Sequence, residues 1–317
     1  MSPADLTLWL RVQRRAAVEY PDLLSALFRA YVYIRLSLTD AQIARVVSSG
    51  NVDELYSRVL TQAMLDQAFG PVRERIRTSV GKGVIYAARD LPKPIPPAPT
   101  IKFAFDVLNP RVIDGIRTLE TKVITGLQDD VRETVRAVVE NGLRDGAGAA
   151  RIGRDIRGMV GLGPAQEQQV RNFRAALMGQ EGRNPLGYVL RDKRFDRTLA
   201  KGPLSEAQVD KMVAAYSKRR IAQNADTVAR TASLDSFKLG QHLSMADAVD
   251  RGIYDGSRLM KQWRGVLDDR ERDSHLEMQD DTVGWDQPYS NGEMYCGEGE
   301  FNCRCISRYF TPAASAS

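Results

Sequence analysis

Apolar residues return at every third or fourth position from Leu6 to about Arg89, as in Leu23, Leu24, Leu27, Phe28 and Tyr31, and again in Leu55, Val59, Leu60, Met64, Leu65 and Phe69. That period turns one face of an α-helix toward a core, so the N-terminal region is predicted to be helical. Thr39-Asp40 ahead of Ala41-Gln42-Ile43, and Asn51-Val52-Asp53 ahead of Glu54-Leu55, supply side chains that accept the unpaired N–H groups of a first turn. They divide the region into several short helices. A second seam runs Val112, Ile116, Leu119, Val123, Ile124, Leu127, Val131, Val135, Val138, Val139 and Leu143, and predicts one long amphipathic helix that stops at Arg144-Asp145-Gly146-Ala147-Gly148. Further helices are expected from near Ala149 to Gly161, from about Pro164 to Met178, and from Ser205 through Arg230 to Leu239.

The helical pattern breaks twice. Leu91-Pro92-Lys93-Pro94-Ile95-Pro96-Pro97-Ala98-Pro99 holds five prolines in nine positions, which forbids helix and favours a stiff, extended spacer. After Trp263 the period disappears, and Gly284, Pro288, Gly292, Gly297 and Gly299 punctuate short runs. The fold class expected is mainly α, with a helical N-terminal region, a long-helix middle region and a small α+β or irregular C-terminal module. The corresponding division is a docking region over 1–90, a proline-rich linker over 91–100, a helical middle domain over 101–261, the C-terminal module over 262–311 and a loose tail over 312–317.

Composition narrows the class. With 43% hydrophobic and 27% charged residues the chain has enough apolar surface to bury a core, and 317 residues exceed what one core usually organises. No stretch approaches the roughly 18 apolar residues that cross a bilayer, and the first residues lack the pattern of a secretion signal. The expectation is a protein made in the cytoplasm with no membrane partner. The net charge of +5 conceals a split: residues 262 to 317 carry five arginines and no lysine against eleven acidic side chains, whereas residues 151 to 230 carry sixteen basic against eight acidic. Two surfaces of opposite sign imply two different partners. Arg151, Arg154, Arg157, Arg171, Arg174, Arg219 and Arg220 are candidates for phosphate contacts, which would give DNA affinity without sequence preference. A solvated helical face explains them equally well.

The most specific feature is a string near the C-terminus: Trp263, Asp268-Asp269-Arg270, Arg272, His275, Gly284 and Asn302-Cys303-Arg304-Cys305. This string resembles the C-terminal signature of the phage Mu F-like family of head morphogenesis or minor capsid proteins, which runs Trp, Asp-x-Arg, Arg-x-x-His, a glycine and a closing Asn-Cys-Arg-Cys. Upstream, Arg219-Arg220, Ala225 and Ala229-Arg230-Thr231 are similar to the helix that precedes the family's tryptophan. Weaker similarity extends from about Asn109 through Leu143-Arg144-Asp145-Gly146 to Leu190-Arg191-Asp192-Lys193-Arg194-Phe195-Asp196, so about half of the chain is covered. Gln279-Asp280-Asp281 departs from the family, which often has a glycine turn there, and Cys296 stands where relatives often have proline. The resemblance implies a virion protein of the head interior, assembled in the host cytoplasm. Its implied partners are the portal, capsid or scaffolding proteins, and it implies no catalytic residue.

Read from the residues alone, an extended Cys303-Arg304-Cys305 sends both thiols to one side and the guanidinium to the other. Trp263, His275, Cys303 and Cys305 are therefore expected to gather around one core, with the thiols as buried apolar groups and no cofactor. Two alternatives stand beside that reading. One is a zinc site of His275, Cys296, Cys303 and Cys305, and the other is a disulfide. A metal-dependent hydrolase or effector using Asp268, Asp269, Glu271 and Asp273 around His275 is the competing function, although no nucleophile elbow, phosphate loop or His-Glu-x-x-His pair accompanies them. His242 reads as an ordinary helix residue.

Overall fold

The computed structural model describes residues 2–89, 109–298 and 300–312. The fold is mainly α: α1 (Pro3–Ser37), α2 (Asp40–Ser49), α3 (Gln62–Arg89), α4 (Pro110–Arg144), α5 (Ala149–Met159), α6 (Pro164–Leu177), α7 (Asp196–Leu199) and α8 (Glu206–Asp250) precede the strand β1 (Met260–Arg264). A short helix α9 (Asp273–Glu277) and strands β2 (Thr282–Gly284) and β3 (Ile306–Phe310) complete a three-stranded antiparallel sheet in the order β2-β1-β3. No helix among the described residues is long and apolar enough to cross a membrane. The proline segment at 91–99 and the tail after 312 lie outside the described residues.

Helices α4, α5 and α6 fall within a residue or two of the predicted spans, and the Thr39 side chain caps α2 in a reciprocal pair with Gln42. Three elements are longer than expected, one of them α3, which runs 28 residues through Pro71. Helix α1 runs 35 residues straight through Pro21 instead of breaking into short helices. Proline inside a helix costs about 3 kcal/mol. Around it Leu23, Ala26, Leu27, Ala30, Tyr31 and Ile34 are almost fully buried, and each large apolar side chain buried contributes about 1.5–3 kcal/mol. Packing outweighs the local defect. Helix α8 likewise continues past Leu239 to Asp250 because Leu243, Met245, Ala246 and Ala248 remain buried.

The chain divides into two compact units, one of Met1–Ala26, Val72–Val123 and Thr227–Ser317, the other of Leu27–Pro71 and Ile124–Asp226. Each unit joins segments distant in sequence, and the linker expected over 91–100 lies outside the described residues. In the first unit Val12 and Ala16 of α1 pack with Leu234 and Phe237 of α8 and Ile306 of β3. The Trp9 indole N–H donates to the Arg304 carbonyl at 2.8 Å, and the Arg264 guanidinium donates to the buried Asp5 carboxylate at 2.8 Å. The first turns of the chain are thus part of the core that holds the C-terminal module. In the second unit Arg157 of α5 donates to the Leu38 carbonyl at 2.7 Å and Thr134 of α4 donates to the Leu162 carbonyl at 2.9 Å, tying the ends of neighbouring helices.

Helices α3 and α8 cross backbone to backbone in the first unit. A Cβ on Gly240 would meet Val84 N at 2.6 Å and Gly83 Cα at 2.9 Å, and one on Gly83 would meet Phe237 Cα at 3.0 Å. Gly81, two residues away on α3, faces open space. Gly240→Ala is therefore expected to destabilise the protein by about 1–3 kcal/mol, as overpacking does, whereas Gly81→Ala should stabilise it by about 0.5–1 kcal/mol. Urea unfolding of the two variants checks the opposite signs.

The N-terminal contacts predict a further outcome. Removal of residues 1–26, which a separately folded docking region would tolerate, is expected to lower the thermal midpoint of the remainder by more than about 5 °C, since it exposes Leu234, Phe237 and Ile306 together. Scanning calorimetry of the truncated chain measures it.

Candidate functional site

Strand β1 is the centre of the C-terminal sheet, and its alternation places Lys261 and Trp263 on the buried side. The Lys261 ammonium donates to the Met294 carbonyl at 2.7 Å and lies over the Tyr289 ring. Trp263 is fully buried and meets two rings edge-on, His275 at 5.5 Å and Tyr289 at 5.3 Å between centroids. Around it gather Met278, Tyr289, Cys296, Cys303 and Cys305. Trp263, His275, Cys303 and Cys305 therefore share one core.

Two turns aim these side chains. Asp280 takes a left-handed conformation at φ 69°, so the turn after α9 forms where the resembled family often has glycine, with aspartate tolerated in that region. Asn302 does the same at φ 59°, and its N–H donates to the Thr231 hydroxyl of α8 at 3.0 Å. The chain then runs extended, with both thiols inward and the Arg304 guanidinium outward, donating to the two Asp268 oxygens at 2.5 and 2.7 Å. Arg272 holds the Phe301 carbonyl and the Glu300 carboxylate across the same loop. Asp269 and Arg270 lie exposed on the turn between β1 and α9.

The cluster that results is chemically dense. The donor atoms of His275, Cys303 and Cys305 lie within 4.8 Å of one another, all buried. Cys305 Sγ lies 3.5 Å from His275 Nδ1 and donates to Glu271 Oε1 at 3.1 Å, and that oxygen is 3.4 Å from His275 Nδ1. Cys296 stands apart from this group. The Ser307 hydroxyl donates to its sulfur at 3.4 Å, and burial pushes its thiol up. Cys303 is instead held well below the usual thiol range, by the Cys305 thiol first and then by the Lys238 ammonium and His275, while Cys305 is pushed up by its neighbour and by burial.

Lys238 of α8 supplies the counter-charge. It is buried and donates to the Cys303 carbonyl at 2.9 Å. Desolvation alone would lower its pKa, but Cys303 and Asp235 raise it, so the ammonium stays charged; burial pushes the Asp235 carboxyl up to about 7. Gly297, at φ 82°, admits this packing because a Cβ there would lie 2.7 Å from Cys303 Sγ and 2.8 Å from Lys238 Nζ.

Of the acids around His275, only Glu271 approaches the imidazole; Asp268 is committed to Arg304, and Asp269 and Asp273 are exposed. The candidate phosphate-binding arginines also have protein partners. Arg151 pairs with Asp155 and Glu206, Arg157 with Asp40, Arg171 with Glu167, Arg174 with Asp210 and Arg219 with Asp192, while Arg220 donates to the Tyr216 hydroxyl at 2.8 Å. Arg154 lines a cleft with Asp155 and Asp210.

Glu271 is legible in the sequence only as one of the acidic residues before His275; it precedes α9, and the extended Arg272 between them means that no helical spacing predicts its approach. Lys238 and Asp235 carry no such signal, because nothing local ties α8 to the cysteines. Nor does sequence reveal the cleft of about 480 Å³ lined by Arg111, Lys122, His242, Trp285 and Glu298. His242 donates to or accepts from the Tyr309 hydroxyl at 3.1 Å there, and burial pushes its pKa down to about 4. No protein-family model, curated protein or solved structure matches the chain.

The Asp268–Arg304 pair gives a pH dependence. Two hydrogen bonds from Arg304 pull the Asp268 carboxyl from 3.8 down to about 2. A carboxyl lowered by folding adds stability that is complete above its unfolded pKa and fades as pH falls through the folded one. Asp268→Asn is thus expected to lower the thermal midpoint at pH 7, with the difference from the unsubstituted protein shrinking between about pH 4 and pH 2. Melting curves across that range test it.

Proposed function

We propose that the chain is a minor capsid, or head morphogenesis, protein of a tailed bacteriophage that links the portal vertex, the capsid interior and the packaged DNA. The observation that supports this reading is the Mu F-like string itself, together with what its residues do. Trp263, Asp268, Arg272, His275, Cys303, Arg304 and Cys305 each hold another part of one small module, as expected of a signature that specifies an assembly scaffold. Such a role needs binding faces and no substrate cleft at the signature residues. Leu267, Leu276 and Phe301 stay exposed on this module, side chains of the kind that a protein interface buries.

In this reading the partners are portal, capsid or scaffolding proteins, met in the host cytoplasm during assembly and retained in the head interior near the portal. DNA contact is backbone contact alone. Because most of the candidate arginines have acidic partners, it is expected to be weak and to require low salt. The test is mass spectrometry of purified heads from phage carrying Leu267→Ser, Leu276→Ser and Phe301→Ser together. Heads with the unsubstituted protein are expected to contain a few copies of it, and the triple variant should fold but be largely lost from heads. Absence of the unsubstituted chain from every head intermediate would overturn the assignment.

A further inference from the structure

A zinc ion in tetrahedral coordination, bonded at about 2.3 Å to sulfur and about 2.0–2.2 Å to nitrogen or oxygen, holds its donors roughly 3.3–3.8 Å apart. Three donors of the C-terminal cluster already stand near those separations: Cys305 Sγ and His275 Nδ1 at 3.5 Å, His275 Nδ1 and Glu271 Oε1 at 3.4 Å, Cys305 Sγ and Glu271 Oε1 at 3.1 Å. Cys303 brings the fourth, within 4.8 Å of the His275 and Cys305 donors, from the next inward position of the same extended segment. We propose that Glu271, His275, Cys303 and Cys305 form a closed binding site for one zinc ion.

The chemistry of the donors selects the metal. Two thiolates and an imidazole suit zinc and exclude magnesium and calcium, which require oxygen. The surroundings already orient the set, as outer contacts do in metal sites. Glu271 Oε2 accepts from the Val266 N–H at 2.9 Å, which leaves Oε1 turned toward the thiol and the imidazole. The Trp263 ring lies edge-on to His275 and limits its rotation. Lys238, buried against Cys303, completes the charge balance: the two charges of zinc and the one of the ammonium match two thiolates and a carboxylate. Such an ion would join the turn after β1, helix α9 and the segment leading into β3. The fourth donor differs from the set suggested by spacing alone, since the Cys296 thiol faces Ser307 and Glu271 takes its place.

The full chain, purified without a metal-binding tag from cells grown with added zinc, tests this by elemental analysis. About one equivalent of zinc is expected, lost in Cys303→Ser and His275→Ala and retained in Cys296→Ser. Should the ligand variants fail to fold, cobalt exchanged into the unsubstituted protein gives an independent readout: thiolate-to-cobalt charge-transfer absorption is expected, and the same absorption in Cys296→Ser. Substoichiometric zinc of less than about one fifth, together with no cobalt absorption, would overturn the site. Loss of both signals in Cys296→Ser with a folded protein would overturn the donor set.

Discussion

A buried ammonium has to be paired, and Lys238 fixes how the C-terminal module sits on its helix. Its side chain is desolvated in the core, so the Cys303 carbonyl, the low-pKa Cys303 thiol and Asp235 must converge on it. Gly297 leaves the room for that convergence, and the left-handed Asn302 delivers Cys303 to it while bonding Thr231 one and a half to two turns earlier on α8. Every other feature of the cluster follows from Cys303 being anchored in this way. Cys305 then falls beside His275 and Glu271, Arg304 is left outside to hold Asp268, and Trp263 fills the space beneath.

The same anchoring explains why the start of the chain belongs to this unit. β3 continues directly from the anchored segment, and Ile306 is met by Val12 and Ala16. Trp9 donates to the Arg304 carbonyl and Asp5 neutralises Arg264 on the neighbouring strand. A sheet whose strands have only five, three and five residues gains stability by packing against helices. The flanks of α1 and α8 supply that packing.

Much of this was legible in the sequence, and what was not has physical causes. Periodicity located α4, α5 and α6 closely because an amphipathic face repeats locally. It read several short helices where α1 and α3 run 35 and 28 residues, because a repeating apolar face and candidate caps mark where helices can start but not how far each continues. The proline run at 91–99 suggested a boundary from local stiffness and lies outside the described residues, whereas the packing of Val12 with Phe237 has no local signal at all. At the site, alternation in Cys303-Arg304-Cys305 and the joint occurrence of Trp263 and His275 gave the core, while spacing could not distinguish Cys296 from Glu271 as the neighbour of the thiols. That choice depends on Ser307 and Val266, which no local pattern connects to them.

Hydrogen exchange on the full chain with Lys238→Ala tests the anchoring most directly. Loss of protection is predicted to spread together over the first turns of α1, residues 296–305 and β3, because they form one cooperative unit around Lys238. Loss confined to the turns of α8 next to residue 238, with α1 and β3 protected as in the unsubstituted protein, would contradict the account.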